Sequence, residues 1–224
     1  MKYLTIVLIA IFWNIETQAQ TYEIGGFLGG SNVVADIGST SYFAPNKPVF
    51  GAIVKWNRSA RHSFRFTALF TELEGNDEDS NEARRQSRGL SFTSSLQEIS
   101  LGLEYTFWEF DMFKDRNANA PYLYTGLTAF SHENISRIEG VTASGNAVDI
   151  AIPIVLGYKV AVNSTMVIAL EGGARYTFTD NVDGSNPADD DTLRLGNKNN
   201  NDWYVFTGLT VSFTFGRRPC FCAF

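Results

Sequence analysis

Cysteine is nearly absent from this 224-residue chain: the only two stand near its end, at Cys220 and Cys222. A disulfide-framed scaffold is thereby excluded for the body of the chain. Histidine is as scarce, with His62 and His132 alone, which leaves few places for imidazole catalysis or metal ligation. Proline occurs six times, so strands can run on without interruption. An excess of positive charge is also missing. The net charge of −6 argues against a nucleic-acid partner, because phosphate binding needs a basic surface. No stretch of roughly 18 apolar residues occurs, so no transmembrane helix is expected.

What is present begins with a secretory signal at Met1 to Ala19. Lys2 supplies the positive start, Tyr3 to Trp13 is an apolar run too short for a stable spanning helix, and Thr17-Gln18-Ala19 is a small-residue cleavage site. The domain plan is then a signal peptide over 1–19, one domain over 20–216 and a short tail over 217–224. Gly (19) and aromatic residues (14%) are frequent, a composition suited to an all-β barrel.

Trp203 to Phe215 is the clearest segment. Trp203, Val205, Leu209, Val211, Phe213 and Phe215 share one face, opposite Gly208, Thr210, Ser212 and Thr214. A strand alternates its side chains between two faces, and about ten such residues, tilted, cross a hydrocarbon core of roughly 30 Å. Eight segments of this kind are expected: Tyr22–Gly30, Val49–Asn57, Ser63–Leu73, Leu96–Trp108, Pro121–Ser131, Asp149–Val162, Thr165–Thr179 and Trp203–Phe215. In the fourth, Ile99, Leu101, Leu103, Tyr105 and Phe107 oppose Ser100, Gly102, Glu104 and Thr106; the fifth is ambiguous, being apolar or aromatic on both faces. Long connections (Ser31 to Pro48, Glu74 to Ser95, His132 to Val148, Asp180 to Asp202) alternate with shorter ones (Arg58 to His62, Glu109 to Ala120, Asn163-Ser164). Outer-membrane barrels sort their connections in this way, with long loops outside and short turns in the periplasm, whereas a soluble sandwich has no reason to. The expectation is an eight-stranded antiparallel transmembrane β-barrel in the outer membrane, with both termini periplasmic.

The faces opposite the apolar ones carry Lys55, Arg65, Glu104, Lys159, Glu171 and Arg175. Eight strands enclose an interior that side chains fill, and buried charges must pair there. Two Glu among four cations make a structural network, so the expected interior is polar and plugged and is not a pore. Catalysis has little to stand on. Ser131-His132-Glu133 is the one place to look, but neighbours on a strand point to opposite faces, and no nucleophile-elbow sequence is present. His62 falls in a short turn and is expected to be solvated. The acidic loops lack the EF-hand spacing with its closing Glu. Neither an enzyme, a cofactor nor a bound metal is expected.

After Phe215 the chain continues as Gly216-Arg217-Arg218-Pro219-Cys220-Phe221-Cys222-Ala223-Phe224. A disulfide between Cys220 and Cys222 would close a very small, strained ring. An intermolecular disulfide and a pair of inert cysteines on a frayed terminus both remain open. Two Arg and two aromatics beside the thiols suit a docking tag.

YEIGGFLGGSN (22–32), PNKPVFGAIVKWN (45–57) and RGLSFTSSLQEISLGLEYTFWEFD (88–111), with the cysteine-bearing end Cys220-Phe221-Cys222, resemble the PorG-like outer-membrane barrels of the Bacteroidetes type IX secretion system. Arg88-Gly89-Leu90-Ser91-Phe92 is the most recognisable stretch. The resemblance covers Tyr22 to the tail and rests on extended pattern and spacing. It implies a non-enzymatic structural component of a protein secretion apparatus, one that holds a periplasmic ring, built from a lipoprotein and its soluble partner, against the outer membrane. On that footing the barrel is the membrane fixture, in contact with outer-membrane lipid. The turn Glu109 to Ala120 and the tail with Arg217, Arg218, Cys220 and Cys222 would supply the contact, through a disulfide to the ring lipoprotein. In gliding bacteria the same system exports adhesins. The alternatives are a lipid-modifying outer-membrane enzyme and a surface-binding barrel acting through its long loops.

Overall fold

The computed structural model describes residues 21–112, 118–138, 141–180, 182–183 and 201–216. Eight strands run in chain order: β1 (Thr21–Val34), β2 (Lys47–Asn57), β3 (His62–Asn76), β4 (Ser91–Thr106), β5 (Asn119–Ile138), β6 (Val141–Ala161), β7 (Met166–Thr177) and β8 (Trp203–Phe215). Each pairs antiparallel with the next, and β8 pairs with β1, from Tyr22↔Phe215 to Val34↔Trp203, closing the barrel. Closure leaves no strand edge unpaired, which a sheet in hydrocarbon requires. Among the described residues no helix is long and apolar enough to cross a membrane.

The period-two pattern sorts the side chains as expected. Outward residues form an exposed apolar belt that includes Ile24, Leu28, Phe66, Leu101, Leu127, Leu156, Leu209 and Phe213. Such a belt, with a filled interior, is a protein turned inside out relative to a soluble one. Rings gather toward the belt's two ends: Tyr22 on Phe215 and Trp56 on Phe64 at one, Phe50 on Phe70 and Tyr176 on Trp203 at the other. Sharp curvature falls on inward glycines. A Cβ at Gly102 would lie 2.1 Å from the Thr125 carbonyl, and one at its register partner Gly126 would lie 2.2 Å from the Leu101 carbonyl. Only glycine lets β4 and β5 bend that closely.

One end, the turn end, carries the connections 58–61, 107–118 and 162–165 together with the start of β1 and the end of β8. The opposite, loop end carries 35–46, 77–90, 139–140 and 178–202. The expected boundaries shift most at the loop end. His132 to Val148 is not a long loop: β5 and β6 continue through it and stay paired as far as Ile138↔Val141. β3 and β4 likewise extend to Asn76↔Ser91. These extensions rise above the apolar belt, where the outward face has no lipid to meet and no apolar alternation to reveal the strand. The expected signal over Met1 to Ala19 lies outside the described residues, as does the tail from Arg217 onward.

Candidate functional site

Charged side chains from several strands converge in the lumen. In its turn-end half Glu104, fully buried on β4, lies between two lysines: Lys55 Nζ at 2.7 Å from β2 and Lys159 Nζ at 2.9 Å from β6. Arg65 on β3 reaches across to Glu171 on β7 and donates twice, Nη1 and Nη2 each at 2.8 Å, while Nη1 stands 3.7 Å from Glu104. The planar guanidinium fork matches a carboxylate in this bidentate form. Tyr122 OH donates to Glu171 at 2.5 Å, and its ring lies under Lys55 at 5.3 Å and Lys159 at 5.5 Å. Space for that ring is made by the register partner Gly157, where a Cβ would come within 2.3 Å of Tyr122.

Five of the six inward charges read from the sequence thus form one network. Arg175 stands apart, toward the loop end. It donates to Glu98 at 3.2 and 3.3 Å, lies over Phe206 at 4.3 Å, and shares Glu98 with Tyr204 OH at 2.9 Å. Glu98 and Glu23 were missing from the expected network, which held two acids for four cations. Glu23 accepts from Asn57 Nδ2 at 2.7 Å and from Ser212 Oγ at 3.0 Å. With these two, four inward carboxylates (Glu23, Glu98, Glu104 and Glu171) stand against the four inward Lys and Arg among the described residues, while inward Asp149 is paired with His132. Both could have been found by phase alone: Glu98 is in step with Ser100 and Glu104, and Glu23 with Gly25 and Phe27.

Beyond Arg175 the filling changes character. Phe27, Val49, Ile53, Leu69, Leu73, Phe92, Leu96 and Phe130 point inward and pack as one apolar core, continued upward by Ile37, Leu90 and Val182 from the loops. Asp77, fully buried, knits those loops together: it pairs with Arg88 at 3.0 Å and accepts the amides of Gly38 at 2.9 Å and Leu90 at 3.3 Å. Arg85 adds bonds to the carbonyls of Ala35 and Gly38. The Arg88-Gly89-Leu90 stretch is therefore a structural clasp: a cation for Asp77, a positive-φ glycine (φ 62°) and a core side chain. At the other mouth Phe110, Met112, Ala118 and Ala120 pack with Ala161 and Val167, and the Phe110 ring lies 4.7 Å from Lys159 Nζ. Phe110 and Met112 thus face the mouth, while Glu109 beside them is exposed.

Ser131 and His132 separate as strand geometry requires: Ser131 is exposed, while His132 is buried with Nε2 3.0 Å from Asp149 Oδ2 and its ring stacked on Phe130. His62 opens β3 and does not lie in the turn before it; it is exposed, hydrogen-bonded to Ser59 Oγ at 3.1 Å and tilted against its register partner Tyr105. Above the belt, Asp202 Oδ2 accepts the Val182 amide at 2.9 Å. Burial and the neighbouring Asp183 push the Asp202 carboxyl up to about 9. Arg217, Arg218, Cys220 and Cys222 lie outside the described residues.

The model of a protein family described as DUF6089, a domain of unknown function, matches residues 2–224. The chain belongs to this family. The match takes in the signal-like start and the cysteine-bearing tail as well as the DUF6089 barrel. Among solved structures, the N-terminal β-barrel domain of Pseudomonas aeruginosa OprF is similar at 13% identity and a TM-score of 0.51, over 88% of this chain and 98% of that one. A major outer membrane protein from Thermus thermophilus is similar at 10% identity and a TM-score of 0.50, over 88% of this chain and 100% of that one. These are likenesses of fold, and the fold is that of outer-membrane barrels. No curated protein matches the chain.

Proposed function

We propose that this barrel sits in the outer membrane, turn end and both termini toward the periplasm, as a non-enzymatic anchor of a protein secretion apparatus of the type IX kind. It holds a periplasmic ring complex against the membrane. The observation that carries this reading is the filled lumen: an apolar plug at the turn-end mouth, a paired charge network above it, then an apolar core capped by clasped loops. A barrel packed from end to end is a rigid fixture and not a conduit. The secretion assignment draws on the resemblance of residues 22–32, 45–57 and 88–111 to PorG-like barrels. With Phe110 and Met112 turned into the mouth, the contact with the ring falls to the tail, through Arg217, Arg218 and a disulfide from Cys220 or Cys222 to the ring lipoprotein.

A non-reducing gel of outer membranes, comparing wild type with Cys220→Ser and Cys222→Ser, tests this. The expected result is a higher-mass band that reductant and one of the two substitutions abolish. Monomer in every lane, with both thiols free to alkylate, removes the covalent anchor. A second reading, a surface-binding barrel, is favoured by the paired β5–β6 hairpin rising beyond the belt. It expects deletion of residues 183–199 to abolish binding at the cell surface and leave secretion intact, whereas the anchor expects the tail to be the sensitive part.

A further inference from the structure

The connection 35–46 does not simply rise into solvent. Part of it folds back along the outside of the barrel. Asn32 points outward from β1, where lipid-facing residues belong, yet it is 3% exposed. Its Nδ2 donates to the carbonyls of Ser41 and Tyr42, each at 3.1 Å, and the Asn46 amide donates to the Ser31 carbonyl at 2.9 Å. Residues 41–46 are thus strapped to the wall. The wall is recessed beneath them: Gly30, Thr207 and Gly172 face outward in one register row across β1, β8 and β7. A Cβ at Gly30 would lie 2.6 Å from Pro45, and one at Gly172 would lie 3.7 Å from the Phe43 ring. Phe43 therefore lies beside β7, two strands and roughly 10 Å sideways from the β1 wall to which the strap is tied. In the next row up, outward Val205 is only 2% exposed.

Tyr42 and Phe43 themselves remain 59% and 71% exposed. They occupy a gap. Around the loop-end rim of the belt, rings come from the strands: Phe50 and Phe70 on β2 and β3, Tyr176 and Trp203 on β7 and β8. β1 offers Gly30 and Asn32 at that height, and the strap sets its two rings there instead. The row below is Leu28, Leu209 and Leu170, all exposed, so the rings continue the apolar belt directly. Amphipathic aromatic side chains favour the headgroup boundary of a bilayer. We propose that residues 41–45 are a membrane-interfacial strap, with Tyr42 and Phe43 seated in the lipid of the leaflet at the loop end. The strap supplies the missing arc of the aromatic girdle and takes up both hydrogens of the outward Asn32 Nδ2, which would be costly to leave unpaired in hydrocarbon. This inference rests on the reading of the chain as a membrane barrel, and the experiment separates the two.

The test uses the full chain folded into phosphatidylcholine vesicles, with 4-trifluoromethylphenylalanine in place of Phe43, of the belt residue Phe213, or of the exposed loop residue Asn81. Fluorine relaxation is read with a nitroxide on a lipid acyl chain near the headgroup and, separately, with an aqueous gadolinium chelate. The expected result is that positions 43 and 213 lose their signal to the lipid nitroxide and position 81 loses it to gadolinium. If position 213 responds to lipid while 43 responds to gadolinium, the strap is aqueous and the inference falls. If 43 is shielded from both, the strap is covered by protein, in a second copy or a partner, and the inference falls as well. If position 213 itself ignores the lipid nitroxide, it is the membrane reading that has failed.

Discussion

The two halves of the lumen solve one packing problem with opposite chemistry. Toward the turn end Lys55, Arg65, Glu104, Lys159 and Glu171 fill the space with paired charges; toward the loop end Val49, Leu69, Leu73, Leu96 and Phe130 fill it with hydrocarbon. Paired charges are directional. Each holds its place only while every partner is present, and removing one leaves the others buried and uncompensated. Hydrocarbon packing is graded, since a lost methyl group costs its own transfer and the cavity it leaves. A fixture benefits from both. The charged half fixes the relative positions of β2, β3, β4, β6 and β7, and the apolar half carries the loops that cap the barrel.

The largest expected break is Glu104→Ala, which strands Lys55 and Lys159 together and should cost about 3–5 kcal/mol. Urea unfolding in vesicles, read by the heat-dependent shift of the folded band on a gel, checks it; a midpoint near wild type would mean that the lysines find water. In the apolar half Leu73→Ala should cost about 2–5 kcal/mol in the same assay, with the charged half still paired. Gly157→Ala sets a methyl against the Tyr122 ring and should cost about 1–3 kcal/mol, with the Tyr122–Glu171 bond lost. Ultraviolet difference spectra of the tyrosines report that loss.

Above the belt the contrast becomes one of pH. The Asp202 carboxyl keeps its proton up to about 9 in the fold, against an ordinary value of 3.8. Between those two values the folded state binds one proton more than the unfolded chain at this site, so its contribution to stability falls as pH rises through that window and levels off above it. Asp202→Asn should flatten this slope in unfolding midpoints taken from pH 5 to 9, values spanning roughly that window. The smallest effect is expected from Lys47→Ala at the rim, where the partly exposed Lys47–Glu74 pair is screened by water and its loss should shift the midpoint only slightly.

The same division explains how far the residues could be read in advance. Where the lumen is polar, each strand shows one apolar and one polar face, and Lys55, Arg65, Glu104, Lys159 and Glu171 announce their direction. On β5 the inward side chains are themselves aromatic, so that with Tyr122, Tyr124 and Phe130 inside and Leu123 and Leu127 outside the strand loses its period. Beyond the belt the signal fails for the opposite reason, because both faces are polar, and residues 132–148 pass for a loop although they are paired strand. The turn with Phe110 and Met112 reads as a surface connection because nothing local says which mouth it will fill.

By itself the sequence determined the strand count, the antiparallel plan and the inward phase of the charges, since these follow from a local period of two repeated through eight segments. Tertiary structure alone decided which carboxylate meets which cation, that Glu23 and Glu98 complete the balance, and that the Arg88-Gly89-Leu90 clasp holds Asp77. It also decided that residues 41–46 turn back along the wall. Each of these joins residues far apart in the chain, across the barrel or around its rim, and a period along one strand carries no information about what stands opposite it.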